Sequence, residues 1–158
     1  MLKNASKIFY YFFLWGLLTV VSLKVKEIVL ERLAQNGFAE IKTSVLSFYE
    51  IHNTGAAFSL FSGSANALVI AAVVSTIIIT AVILAKTSML TTTMVSSMAL
   101  LSAGMTLNTI ERINNGYVVD YIYFSFFKEF PVFNFPDIMI VLGALILVYS
   151  ISINTRVE

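Results

Sequence analysis

Four stretches of this chain carry apolar residues with little interruption, and between them the pattern breaks into short alternations and charge. Crossing the hydrocarbon core of a bilayer as helix takes roughly 20 apolar residues. The first stretch, "IFYYFFLWGLLTVVSLKVKEIV", predicts a helix over about 8–29, with Lys24, Lys26 and Glu27 at its late end, where long Lys stems can reach the membrane surface. The second, "NALVIAAVVSTIIITAVILA", holds no charge and predicts a spanning helix over about 66–85. The third, about 87–110, is also uncharged but rich in Ser, Thr and Ala, a composition suited to helices packed closely inside a bundle. The fourth, "IMIVLGALILVYSISI", is short for a span, so its helix, about 137–153, has to begin at or before Asp137. Between the first two, about 34–63, "EIKTSVLSFYEI" alternates with period two among Gly, Asn and Thr, which predicts a small strand-containing cap. The pattern therefore describes an all-α membrane protein, with four transmembrane helices and an extracytoplasmic cap, as a single domain over 1–158.

Composition agrees. The chain is 58% hydrophobic and 12% charged, against roughly 45–50% and about 25% in soluble domains, so lipid is its expected solvent. A net charge of +1 without a basic run argues against nucleic acid as a partner, and with no cysteine there is neither disulfide nor thiolate chemistry. The basic start resembles a signal peptide, but no small-residue cleavage site follows it, so retention is expected. Four crossings put both termini on one side, together with Lys3, Lys7, Lys86 and Arg156; the bias of Lys and Arg toward cytoplasmic loops makes that side the cytoplasm.

Two carboxylates stand out in the apolar stretch "GYVVDYIYFSFFKEFPVFNFPDIMIV": Asp120 and Asp137. Charge at membrane depth is costly, so such residues invite a functional reading. Helix capping or headgroup-level placement is the plain alternative. If the segment around Asp120 folds back beside the start of the fourth helix, the two can meet. A close pair of carboxylates holds one proton between them, which leaves one to activate water and the other to polarise a carbonyl, with no metal or cofactor.

Three motif regions, "HNTGAAFSLFS", "NTIERINNGYVVDYI" and "FPVFNFPDIMIVLG", closely resemble those of signal peptidase II, the lipoprotein signal peptidases. The resemblance extends to the length, motif order and four-helix layout of the whole chain. It implies a catalytic dyad of Asp120 and Asp137, substrate-side roles for Asn53, Gly55, Asn108, Arg112 and Asn134, and no cofactor or metal. The implied substrate is a diacylglyceryl-modified prolipoprotein, cut on the N-terminal side of its lipobox cysteine at the outer face of the bacterial inner membrane, with membrane lipid as the other partner.

Departures from the family pattern carry their own expectations. Ser22 and Leu23 stand where the family has Asp and Gln, although Lys26 is kept, so a buried polar link from the first helix is expected to be lost. Ala103 replaces the first of two glycines, Leu107 replaces a glycine and should push helices apart, Glu111 replaces Asp, and Pro136 replaces Ala. A weakly catalytic lipoprotein-binding paralogue and a small transport or scaffold bundle are the alternatives. His52 reads as part of a surface turn, and the aromatics from Phe9 to Trp15 as lipid-facing. The cluster from Tyr121 to Phe130 reads as an interfacial belt or an acyl-chain grip.

Overall fold

The computed structural model describes residues 2–55, 65–127 and 129–154. The side chain of Lys3, all of Lys128, Arg156 and Glu158, and the part of the cap after Gly55 lie outside the described residues.

Helix α1 runs Leu2–Gln35, longer at both ends than its apolar run. At about 1.5 Å per residue it is about 50 Å long, against a hydrocarbon core of about 30 Å, so a substantial part projects beyond lipid. Within its charged stretch Lys24 pairs with Glu27 at i,i+3 along the helix surface. Helix α2, Ala65–Lys86, ends in a short 3₁₀ turn at Thr87–Met89. Helix α3, Thr92–Asn115, starts later and ends later than the expected 87–110. The cause is local: Thr91 caps it by accepting a bond from the Met94 N–H at 3.2 Å, and Lys7 of α1 donates to Leu90 O at 2.6 Å, tying down the preceding link. Helix α4 spans Phe135–Asn154, so it does begin before Asp137.

Among the described residues three helices, α1, α2 with its 3₁₀ turn, and α4, are long and apolar enough to cross a membrane. α3 is as long as a span but less apolar, because it is the central helix. It packs on α1, α2 and α4, and eleven of its residues are buried, among them Ser97, Ser102, Asn108 and Thr109. Here the first aromatic run departs from expectation. Phe9, Phe12 and Phe13 are exposed, but Tyr11 is wholly buried with its hydroxyl between Ser102 at 2.8 Å and Thr80 at 3.1 Å. A tyrosine carries an apolar ring and a polar tip, and the tip goes where hydroxyl partners exist.

The α3–α4 contact is tight. A Cβ on Gly104 would stand 2.5 Å from Pro136 O, and one on Gly143 2.9 Å from Ser97 O, so both positions require glycine. Leu107 does not force these helices apart as expected. It is buried in a cluster with Ala103 and Met139, and the close approach is kept one turn away at Gly104.

The cap is a three-stranded antiparallel sheet in the order β1 (Ile41–Lys42), β2 (Leu46–Asn53), β3 (Val118–Phe124). Its third strand comes from the segment between α3 and α4. Val118 to Ile122 are all buried, so β3 shows no alternation by which period two could be recognised. It packs through Val119, Tyr121 and Ile122 on Val25, Val29 and Leu30 in the C-terminal part of α1. The ring cluster of Phe124, Phe130 and Phe133 packs on itself, and Tyr121 belongs to the core, not to an interfacial belt.

Candidate active site

Three local devices bring the polar residues together. At the end of α3, Gly116 takes the left-handed conformation at φ 81°, and its N–H donates to Arg112 O at 2.9 Å. This turns the chain directly into β3, so Asp120 returns beside the helix that carries Asn108 and Arg112. Next, the strand pairing shifts by one residue between Phe48 and Ile51. Without that bulge His52 would stand opposite Val118; with it Asn53 does, on the same sheet face as Asp120. His52 goes to the other face, on a strand and not in a turn, stacked on Tyr117 at 4.0 Å and bonded to Glu50 at 2.8 Å. Last, Phe133 bridges antiparallel to Ile122, which folds the start of α4 back against β3.

Asn134 then sits between the two carboxylates. Its Nδ2 donates to Asp120 Oδ1 at 2.7 Å, and its backbone N–H donates to Asp137 Oδ2 at 3.1 Å. Asn134 is also the N-cap of α4: its Oδ1 accepts from Asp137 N at 2.8 Å. The pair forms a reciprocal capping box, Asn-x-x-Asp, with Pro136 inside the first turn where proline fits. Asp137 is thus both a cap, as the plain reading had it, and a member of the carboxylate pair. Asn53 Nδ2 donates to Asp120 Oδ2 at 2.8 Å, and Asn108 Nδ2 to Asp137 Oδ1 at 2.7 Å. Asn108 Oδ1 accepts from Asn134 at 3.2 Å, closing the network.

Asp120 is 2% exposed. Burial first, and the neighbouring Asp137 charge second, push its carboxyl from the ordinary range up to about 7, against the opposing pull of the Asn53 and Asn134 bonds and of Arg112. Such a group exchanges a proton near neutrality, the property required of an acid or base at working pH. Arg112 donates through Nη2 to Gly55 O at 2.7 Å and through Nη1 to Asn108 O at 3.3 Å, clamping the turn in which Gly55 N donates to Asn53 Oδ1. All seven candidate residues, Asn53, Gly55, Asn108, Arg112, Asp120, Asn134 and Asp137, lie in one bonded cluster. It contains buried carboxylates and amides in a setting suited to general acid–base chemistry on water, and no metal-binding group of three or more His, Cys, Asp or Glu occurs among the described residues.

Comparison with known proteins points the same way. The profile of the family described as Signal peptidase (SPase) II matches residues 14–153. The chain is similar to the "Lipoprotein signal peptidase" of Chlamydia pneumoniae, 33% identical over 111 residues that make up 70% of this chain and 66% of that one. It is 26% identical to that of Lactiplantibacillus plantarum over 141 residues, 89% of this chain and 93% of the relative. Its fold matches a bacterial membrane enzyme solved by the in meso method at 2.3 Å, with a TM-score of 0.80, 21% identity, and coverage of 94% of this chain and 91% of that one.

The chain belongs to the signal peptidase II family.

It is accordingly a membrane-embedded enzyme of the aspartic protease kind. Against the pattern of the signal peptidase II family, the expected loss of a polar link from α1 needs correction. Lys26 pairs with Glu111 at 2.7 Å, and the same Glu111 Oε2 accepts from Val119 N at 3.0 Å. A chain of polar contacts therefore runs from α1 through α3 to the residue before Asp120. On the α1 side, Ser22 Oγ is without a partner among the described residues. Sequence reasoning passed over Tyr121 as a polar contributor. Its hydroxyl accepts from Phe135 N at 3.3 Å and so braces the first turn of α4; nothing distinguishes it from the other aromatics of its stretch.

Proposed function

We propose that this protein cleaves the signal peptide from diacylglyceryl-modified prolipoproteins on the N-terminal side of the lipobox cysteine, with Asp120 and Asp137 as the catalytic dyad. The observation that carries the reading is Asn134, whose side chain and backbone hold one oxygen of each carboxylate. The pair holds a single proton and titrates as a unit. Its ionised carboxylate takes a proton from water as the water attacks the scissile carbonyl, while the protonated carboxyl donates to the carbonyl oxygen. The tetrahedral intermediate collapses as the amine of the cysteine takes a proton and leaves.

Asn108 and Asn134 orient the carboxylates, and Asn53, Gly55 and Arg112 form the wall against which the substrate strand lies. Both termini face the cytoplasm and the cap lies outside, so the site works near the outer surface of the inner membrane. There the scissile bond is wet while the acyl chains of the substrate stay in lipid. The whole chain acts as one domain. Purified protein in lipid should cleave such a prolipoprotein, and Asp120→Asn and Asp137→Asn should each lower the rate by roughly 10³-fold or more while leaving the protein folded. A wild type that does not cut, or a variant of either aspartate that cuts at the wild-type rate, would overturn the reading.

A further inference from the structure

Ser22 is unusual among the helical hydroxyls of this protein. Thr19, Thr76, Ser96 and Ser97 each return their proton to a carbonyl one turn back in their own helix, at 2.8 to 3.0 Å. Ser22, 1% exposed in the middle of α1, leaves its Oγ without a partner among the described residues. An unmade bond on a fully buried hydroxyl is costly, and in native proteins such groups are as a rule satisfied by protein or by ordered water.

The hydroxyl borders a small, partly open cavity of about 10 Å³, whose polar lining is Ser22 and Lys26 of α1, Glu111 of α3, Tyr121 of β3 and Asn134. A space of roughly 10–15 Å³ by this measure accommodates one water, which requires two to four polar partners to stay. The wall offers them. Glu111 spends Oε2 on Lys26 and Val119, leaving Oε1 as an acceptor. Tyr121 accepts from Phe135 N, and its own proton is free to donate. Burial pushes the Tyr121 phenol up to about 12, so that proton is present throughout the working range.

We propose that this cavity binds one water molecule, which joins the hydroxyl of Ser22 to Glu111 and Tyr121. The water braces α1 against the two elements that flank Asn134, and with the Lys26–Glu111 pair it forms the polar tie of α1 to the carboxylate cluster. It is separate from any water consumed in hydrolysis, and the inference holds whether or not the chain cleaves lipoproteins.

The test is a crystal structure of the full chain grown in lipid at better than about 2 Å, where one water peak is expected within hydrogen-bond reach of Ser22 Oγ and of Glu111 or Tyr121. The same structure of Ser22→Ala should show that peak lost or displaced, with the unfolding temperature lowered by roughly 2–4 °C. A dry wild-type cavity overturns the proposal, as does a Ser22→Ala variant whose unfolding temperature stays equal or rises, because removing a truly unpaired hydroxyl relieves a cost. If Ser22→Ala does not fold, the wild-type density decides alone.

Discussion

Asp120 and Asp137 end against the same asparagine, but the chain delivers them by opposite means. Asp137 is held mainly by its neighbours in sequence, with a single bond from the more distant Asn108 on α3. It is the third residue of a helix whose cap, Asn134, lies three positions earlier, and each of the two bonds the other's backbone N–H. Asp120 is held by residues remote in sequence: Asn53 from across the sheet, Asn134 from the fold-back before α4, and the neighbouring backbone N–H of Val119 bonded to Glu111 on α3. A local device survives as long as its helix does; a distributed one depends on register, a bulge and three packed elements. The carboxylate with distributed support should therefore be the one more sensitive to changes far away.

Among the residues that hold the carboxylates, Asn134→Ala should have the largest effect, because it removes the one residue common to both arrangements. The N-cap costs about 1 kcal/mol of stability, and loose carboxylates should lower cleavage by roughly 10²-fold. A loss confined to stability, with the rate unchanged, would mean the two aspartates are positioned independently of it.

Gly104→Ala tests the helix side. A Cβ there meets Pro136 O at 2.5 Å and Ile140 Cγ1 at 2.7 Å, so the first turn of α4 has to move. The expected loss is about 1–3 kcal/mol in thermal or denaturant unfolding, with a fall in activity because Asp137 rides on that turn. Gly16→Ala, whose Cβ meets nothing within 4 Å, is the control and should be neutral or slightly stabilising.

A smaller and more specific contrast comes from Asn53→Ala and Asn108→Ala. Each should slow cleavage by roughly tenfold, but they should differ in pH response. The Asn53 bond favours ionised Asp120, so its loss should raise the titration of that carboxyl above about 7 and carry the alkaline limb of the rate profile upward. Asn108 donates to Asp137 instead, so its variant should reach the titration only through the coupling of the pair and move the alkaline limb less. Equal shifts in both would break the contrast.

The test furthest from cleavage itself is stability against pH. With the folded carboxyl of Asp120 at about 7 and the unfolded one near 3.9, the folded state holds a proton that the unfolded chain has released. Stability should therefore fall as pH rises from about 4 to about 7, then level off. Asp120→Asn should remove that part of the slope and be the more stable protein above pH 7. An unchanged slope would show that Asp120 titrates alike in both states.

The legibility of the site follows the same division. The span of α4 and its start before Asp137 follow from one contiguous apolar run, so local pattern reveals them, whereas Asn134 enters through the family motif. The family motifs point to Asn53, Asn108, Arg112 and Asp120 as residues, but spacing along the chain cannot show that Arg112 clamps Gly55 O or that Asn108 bonds Asp137. β3 carries no period-two signal because a strand buried on both faces does not alternate. The uncharged run puts the start of α3 about five residues early because it continues through the 3₁₀ turn, and only capping geometry at Thr91 marks the true start.

By itself, the sequence determined the solvent, the approximate spans and the local cap around Asp137, because each depends on composition or on residues within a few positions; it points to Asp120 and Asp137 as a pair only through the resemblance of its motifs to those of a family. Tertiary structure alone decided that Asn53 and not His52 faces Asp120, that Lys26 reaches Glu111, and that Ser22 borders a cavity instead of bonding its own helix. These depend on strand register and helix packing, where a shift of one residue reverses the side that every group presents.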